Sequence, residues 1–511
     1  MAVRRPTSDG VTLGIDVGTS AVKVLAMSLR GDVIAHSSAP LAMATPRPGW
    51  AEQDPESWWL ATRSAINAVI AQLAGTPVLC VGLSGQMHSS VFLDRTGTVV
   101  RPALLWCDAR TTDECAALTR EIGEDNLRGW TANAALEGFT LPKVLWLRKH
   151  EPEHFARVAK ILLPKDFIRY RLTGVLATEP SDASGTLMYD VAHDRWSAEM
   201  LAAVRIDRTL LPDVGESAGV LSRITPSVAR ELGIAPGAPV VGGGADNACG
   251  ALGVGVVSPG ETVASWGTSG TLVAPVDRPL VDPELRLHTF RHAAPGIWYV
   301  MGVILSAGGA FNWFQQELAR DLGTDADARS RLDEEAMSVA PGADGVTFLP
   351  YLQGERTPHR DGDARGAFVG LSLAHRRRHL ARAVLEGVTF AMRDSVELLR
   401  AMGIPIGTLL LTGGGSRSTF LRQMQADVFG LPITTSARAD GPAYGAALLA
   451  ATGIGVFPDI LAAVDATRER GAALAPDVGV HRAYDLPYAR FRALYPALRA
   501  ARASTVHSSG A

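Results

Sequence analysis

The sequence predicts an α/β protein made of two related lobes. A strand, a Gly-Thr-Ser turn and a second strand are spelled by Gly14-Ile15-Asp16-Val17-Gly18-Thr19-Ser20-Ala21-Val22-Lys23-Val24-Leu25 and again by Ala264-Ser265-Trp266-Gly267-Thr268-Ser269-Gly270-Thr271-Leu272-Val273. The turns at Gly18 and Gly267 stand about half a chain apart, the spacing of an internal duplication. A chain of 511 residues with 47% hydrophobic content fills more than one core, so each copy of the hairpin belongs to its own domain.

Each hairpin turn offers backbone N–H groups and small hydroxyls to the space it encloses, which suits it to cradle an anion. After the first hairpin, Ser28-Leu29-Arg30-Gly31-Asp32 reads as a turn and Val33-Ile34-Ala35 as a third strand, so the domain opens with antiparallel strands. A dinucleotide-binding unit or a P-loop passes from strand straight into helix at its glycines, and neither pattern is present. Gly413-Gly414-Gly415 fails as a dinucleotide fingerprint because Ser418 stands where the third glycine belongs.

Three short apolar runs end in polar or glycine residues, as the strands of an α/β sheet do at a site. They are Val78 to Leu83 followed by Ser84-Gly85-Gln86-Met87-His88, Pro239-Val240-Val241 followed by Gly242-Gly243-Gly244-Ala245-Asp246-Asn247, and Thr408 to Leu411 followed by Thr412-Gly413-Gly414-Gly415. The last leads into a helix with Phe420, Met424 and Val428 on one face, Ser418 as N-cap, and Gly430 then Pro432 as its stop. Arg382 to Met402 reads as an amphipathic scaffold helix with Val384, Val388, Met392, Val396 and Leu399 inward and Gly403 as stop. Tyr488, Phe491, Tyr495 and Leu498 mark a terminal packing helix before a small polar tail. With no low-complexity linker, the boundary falls at a crossover between Gly250 and Gly260. The expected division is residues 1–250, residues 251–503 and a frayed tail over 504–511.

A formal net charge of -3 argues against a nucleic-acid partner, which needs a basic face. Cys80, Cys107, Cys115 and Cys249 lack the spacing of a zinc site and are too few for a disulfide framework, so they read as thiols in a reducing compartment. Gly and Pro interrupt every apolar stretch, so no membrane span is expected. The start Met-Ala-Val-Arg-Arg-Pro lacks the apolar core of a signal peptide, which leaves the cytoplasm as the expected location.

Asp246 is the leading candidate for a catalytic group. It follows glycines that admit a close neighbour and precedes a helix, and a base at such a point can orient and deprotonate an alcohol; a helix-capping role stays open. Asp16, ending a strand beside the first turn, could hold Mg²⁺ or stabilise the turn. Lys23 reads equally as a phosphate contact or an exposed strand lysine. Met87 and His88 could pack on carbon and exchange hydrogen bonds with hydroxyls, or simply fill the core. Glu355-Arg356 reads as an ion pair at the surface or between lobes.

Together these segments resemble the FGGY carbohydrate kinases. The resemblance runs from Gly14 to about Ala451. It is carried by Gly49 to Pro55, Gly82 to His88, Trp106 to Arg110, Leu163-Pro164-Lys165-Asp166 through Thr173-Gly174, Ser181 to Thr186, Gly242 to Asn247, Gly354 to Pro358 and Gly441 to Gly445. Gly138 to Trp146, and Gly366 to Leu371 with His379-Leu380 and Glu386, supply the family's two signatures.

The family's fold is the two-lobed actin-like, ribonuclease H-like α/β ATPase architecture, with nucleotide and sugar in the interlobe cleft. The resemblance makes Asp246 the general base, Asn247 a sugar contact, and Met87 with His88 the lining of the sugar pocket. It gives Asp16 the Mg²⁺ site, brings Thr19, Ser20 and Lys23 to the terminal phosphates of ATP, and sets Thr268, Gly308, Asn312, Gly414, Gly415 and Ser418 around the nucleotide. Ser418 stands where relatives often carry Asn, and Cys107 where Asn is common. Met87-His88 differs from the Arg-Glu pair of the glycerol-kinase branch and favours a neutral ketose. The implied reaction is ATP-dependent phosphorylation of the terminal hydroxyl of D-xylulose, with other pentuloses or polyols open and a homodimer, common in the family, also open. An actin- or chaperone-like nucleotide switch, acting on a protein partner, is the alternative from another class.

Overall fold

The protein is described by a computed structural model that covers residues 10–323, 325–436 and 441–508. These residues divide into two units. One holds the described residues of Met1–Val257, Pro275–Tyr299 and Asp440–Glu469; the other holds those of Ser258–Ala274, Val300–Ala439 and Arg470–Ala511. The first crossing, at Val257, lies within the stretch the sequence singled out. The units are not the contiguous halves 1–250 and 251–503, because two later segments return to the first.

Glycine contacts explain the second return. The helix Gly441–Gly453 lies directly on backbone: a Cβ on Gly14 would stand 1.8 Å from the Ala443 carbonyl oxygen, and one on Gly82 would stand 1.9 Å from that of Ala446. Its own Gly445 meets the Cys249 carbonyl at 2.0 Å in the same sense. Thr12 Oγ1 adds a hydrogen bond to the Ala447 carbonyl at 3.1 Å. Only residues without side chains permit backbones this close.

In the first unit the main sheet runs in the order Val220–Arg223, Pro239–Val241, Val78–Gly85, Val11–Val17, Ala21–Ser28, Val33–Pro40, with Gly244–Ala245 as a further partner of Val78–Gly85. Val11–Val17 pairs antiparallel with Ala21–Ser28 and parallel with Val78–Gly85, so the predicted antiparallel opening is present. The helix Pro55–Gln72 starts with Asp54 as N-cap and Pro55 in its first turn, and buries Trp58, Trp59, Ile66 and Val69.

In the second unit the order Trp298–Ile304, Gly270–Val276, Gly260–Trp266, Ile406–Gly413, Ile433–Thr435 repeats that plan, with an antiparallel hairpin followed by parallel neighbours. The scaffold helix spans Arg377–Ala401, beginning before Arg382, and buries Val384, Val388, Met392, Val396 and Leu399; Gly403 follows in left-handed backbone. The helix Thr419–Phe429 is capped by Ser418 and closed by left-handed Gly430. Tyr488, Phe491 and Tyr495 are buried on the terminal helix Asp485–Ser508, whereas Leu498 is exposed. That helix continues through Ser508, so the tail expected from 504 is helical to that point, and residues 509–511 lie outside the described residues. Among the described residues no helix is long and apolar enough to cross a membrane.

Candidate active site

The strand Pro239–Val241 leaves the sheet through Gly242, Gly243 and Gly244, and the chain rejoins it where Gly244 pairs with Ser84 and Ala245 with Gly85. The glycines are required by crowding: a Cβ would meet the Glu216 carbonyl oxygen at 2.2 Å from Gly242 and the Leu83 carbonyl oxygen at 2.1 Å from Gly243. Here the close neighbour is the protein's own backbone. The detour places Asp246 at the first position of the helix Asp246–Gly253, with Ala245 in the cap position. Asp246 Oδ1 accepts the Asn247 N–H at 2.7 Å and the Asn247 side-chain amide at 3.0 Å.

Burial lifts the Asp246 carboxyl from 3.8 to about 7, and the negative charge of Asp16 lifts it further than the Asn247 N–H lowers it. Asp16 itself is raised to about 6 by burial, partly offset by the Lys23 ammonium and the Ser84 hydroxyl. These neighbours follow from strand register, since Asp16 lies opposite Lys23 on one side and Ser84 on the other. Asp16 belongs to the strand rather than to the turn. Its Oδ1 is buried without a hydrogen-bond partner, as a hard oxygen awaiting a cation would be. Among the described residues no group of three or more His, Cys, Asp or Glu could hold a metal ion. Any metal here would therefore lean on one or two carboxylates, the mode Mg²⁺ shares with phosphate ligands.

Met87 and His88 follow the strand Val78–Gly85, and both are buried. Asn247 Nδ2 reaches the Met87 sulfur at 3.5 Å and the Tyr299 hydroxyl reaches it at 3.8 Å, so the thioether, the amide and the Asp246 carboxylate share one surface. His88 adopts left-handed backbone, φ 69°, a strained state for a side-chain-bearing residue. It is held there by Thr140 Oγ1, which donates to the His88 carbonyl at 2.8 Å, and by its own Nδ1, 2.6 Å from the Gly185 carbonyl oxygen. A carbonyl only accepts, so the proton sits on Nδ1. Phe139 and Phe290 flank the ring at 4.8 and 6.0 Å.

In the first turn Thr19 is half-buried, while Ser20 and Lys23 are exposed. The Thr19 hydroxyl accepts from Trp106 Nε1 at 2.9 Å and donates to Gln86 Oε1 at 3.2 Å, so the turn is fixed by its neighbours.

In the second unit, the N–H groups of Ala307 and Gly309 bond to the Thr268 carbonyl at 2.9 and 3.0 Å, and that of Gly308 to the Gly267 carbonyl at 2.8 Å. The second hairpin turn is thereby docked on the start of the helix Gly308–Leu318, from which Asn312 projects exposed. Gly413 pairs with Trp266, and a Cβ on Gly415 would lie 2.8 Å from the Trp266 Cβ, so the glycine loop sits against the same hairpin. Thr268, Gly308, Gly414 and Gly415 are thus neighbours. Ser418 is engaged otherwise: its hydroxyl caps the helix Thr419–Phe429 through the Leu421 N–H at 3.3 Å, and it partly offsets the rise that burial gives the Asp333 carboxyl. Glu355 is buried rather than at the surface, and its Oε1 accepts the N–H groups of Leu305 and Arg356 at 3.0 and 2.8 Å.

Sequence reasoning named no role for Tyr299 or for the buried Lys165, Arg169, Glu179 and Ser181. The motif runs Leu163 to Asp166 and Ser181 to Thr186 were the available signal. It also missed Arg329 and Asp333 on the helix Ala326–Met337, which approach Gly414 and Ser418 and have no local pattern.

Residues 11–253 match the N-terminal domain of the FGGY family of carbohydrate kinases and residues 262–454 its C-terminal domain. The chain is 38% identical to a xylulose kinase of Bacillus subtilis over 485 residues, 94% of this chain and 96% of that one. It is 43% identical to a xylulose kinase of Escherichia coli over 439 residues, 86% and 89% of the two chains. The crystal structure of a "xyloylose kinase" from Brucella ovis superposes with a TM-score of 0.89 at 38% identity, covering 96% of this chain and 99% of that one. Its two repeated sheets, its half-buried acid behind a glycine detour and these full-length similarities agree: the chain belongs to the FGGY family of carbohydrate kinases.

Proposed function

We propose that the protein transfers the γ-phosphoryl group of ATP to the terminal hydroxyl of D-xylulose, giving xylulose 5-phosphate and ADP. The observation that carries this reading is the junction of Asp246, Asn247 and Met87, where a poised carboxylate shares a surface with an amide and a thioether. Asp246 accepts the hydroxyl proton as the sugar oxygen forms its bond to phosphorus and the bond to ADP breaks. The Asn247 amide and His88 orient sugar hydroxyls, while Met87 and Tyr299 cover carbon and exclude water. The pocket's polar groups are an amide, an imidazole and a phenol, which suit an uncharged polyol.

Thr19, Ser20 and Lys23 would meet the terminal phosphates, and Thr268, Gly308, Asn312, Gly414, Gly415 and Ser418 the rest of the nucleotide. Ser418 does so with a hydroxyl already committed to its helix cap. The unpartnered Asp16 oxygen fits Mg²⁺, with Asp16 holding it directly or through water. When bound, the ion would neutralise charge on the transferring phosphoryl group. The same reading places the reaction with ATP in the cytoplasm.

The test is ADP release, coupled to NADH oxidation, across D-xylulose, L-xylulose, D-ribulose, L-ribulose, xylitol and glycerol. D-xylulose is expected to have the highest kcat/KM. A higher value for another pentulose or polyol would reassign the substrate, and turnover indifferent to every sugar would remove the kinase reading.

A further inference from the structure

The glycine detour that delivers Asp246 has no stiffness of its own, since glycines are the residues least confined by their own sterics. A catalytic base needs placement to within about 0.5 Å, and a displacement of about 1 Å can cost about 100-fold in rate. Something outside the detour must hold it. Arg169, fully buried, holds its upstream end through Nη1 to the Val241 carbonyl at 2.7 Å and through Nη2 to that of Gly242. The downstream end is held by Ser181, whose Oγ accepts the Ala245 N–H at 2.9 Å, one residue before Asp246.

Ser181 can accept in only one orientation, because its single hydroxyl proton is committed. That proton faces the Glu179 carboxylate, with Oε1 at 2.9 Å and Oε2 at 2.8 Å. Glu179 is fixed in turn by the N–H groups of Ser181 and Asp182 at 2.8 and 2.9 Å and by the Ser217 hydroxyl at 2.8 Å. The Lys165 ammonium stands 3.6 Å away. Lys165, Glu179 and Ser181 have no exposed surface, so water cannot substitute for any link.

We propose that Ser181, locked by Glu179, is a positioning residue that sets the Asp246 carboxylate in line with the sugar hydroxyl. This rests on the reading of Asp246 as the base. It also gives the Ser181 to Thr186 motif two tasks, because Gly185 in the same short segment holds His88. Ser181 does not touch the sugar, so its loss changes turnover rather than binding.

The experiment compares Ser181→Ala with Ser217→Ala in the full-length protein. Both variants remove one hydroxyl from Glu179, but only the first releases the Ala245 N–H. Activity is expressed per folded molecule, from thermal unfolding. Ser181→Ala is expected to lower kcat by about 10- to 100-fold with KM for D-xylulose and ATP within about 3-fold of wild type. Ser217→Ala is expected to keep kcat within about 3-fold. Equal losses of kcat in the two variants, a Ser181→Ala kcat near wild type, or a loss confined to KM would overturn the proposal. If Ser181→Ala does not fold, Ser181→Cys, a poor acceptor, enters the same comparison with the same outcomes. Asp246→Asn is measured alongside: near-native turnover there would remove the base itself, and the positioning role with it, whereas an inactive Asp246→Asn beside a fully active Ser181→Ala would remove the positioning role alone.

Discussion

Replacing Asp246 with asparagine should make the enzyme nearly inactive and, at alkaline pH, more stable. The substitution keeps size, burial and the oxygen that accepts from Asn247 at 2.7 and 3.0 Å, so no packing is disturbed. What disappears is the proton acceptor. Loss of a general base costs about 10²- to 10⁴-fold in kcat, or about 3–5 kcal/mol of transition-state stabilisation.

The stability effect has the opposite sign. The Asp246 carboxyl is raised from 3.8 to about 7 by burial and by the Asp16 charge, so the folded state holds its proton where the unfolded chain has lost it. Stability is therefore complete below pH 3.8, declines as pH rises, and is lowest above 7. The shift corresponds to about 4 kcal/mol at most, an upper bound because Asp246 keeps some exposed surface. The asparagine variant has no such penalty, and each kcal/mol moves the unfolding midpoint of a unit of this size by about 2–4 °C. Coupled ADP release at saturating sugar and ATP gives kcat, and calorimetry at pH 5 and pH 8 gives the two midpoints. The variant should gain on wild type by several degrees more at pH 8 than at pH 5. A kcat within tenfold of wild type, or a midpoint difference that does not grow with pH, would refute the reasoning.

Asp16→Asn should raise the Mg²⁺ concentration for half-maximal activity at least tenfold, measured by metal titration of ADP release, and an unchanged value would free Asp16 from the metal. Gly82→Ala should destabilise by about 3 kcal/mol, because its Cβ would lie 1.9 Å from the backbone oxygen of Ala446. Gly129→Ala, on an exposed helix with nothing within 4 Å, should be neutral or stabilising by up to about 1 kcal/mol in the same unfolding assay. Burial depresses the His292 imidazole from 6.5 to about 4, so the unfolded chain gains a proton that the folded protein refuses. About 3 kcal/mol of stability should be lost between pH 6.5 and 4 through this group. His292→Gln, which can still accept the Ala294 N–H, should flatten the acid limb of a plot of unfolding free energy against pH.

The parts of the fold legible in the sequence are those fixed by local chemistry. The two hairpins were readable because a Gly-Thr-Ser turn between alternating strands is complete within a dozen residues, and the scaffold and terminal helices because one face repeats at helical spacing. Asp246 was readable as a candidate from three consecutive glycines, although local pattern left helix capping open; in the fold the cap position is Ala245 and Asp246 is the first helical residue. The return of the helix Gly441–Gly453 to the first unit was not readable. Its cause is contact of Gly14 and Gly82 with residues more than half a chain away. The same holds for the hydrogen bond from Ala245 to Ser181 and for the grip of Gly185 on His88, where each partner alone is an ordinary small residue. Glu355 beside Arg356 suggested an ion pair by adjacency; Glu355 is buried, and its carboxylate also accepts backbone N–H groups, which adjacency did not show. Ser418 was legible as a cap, and its approach to Asp333 on the separate helix Ala326–Met337 was not.

The most direct test follows both products in one vessel. Purified protein with MgATP and D-xylulose should release one ADP for each sugar phosphorylated, with ³¹P NMR placing the phosphoryl group on the terminal oxygen, and Asp246→Ala should bind ATP normally while forming neither product. ADP released at the same rate without sugar, or phosphate found on another oxygen, would contradict the account.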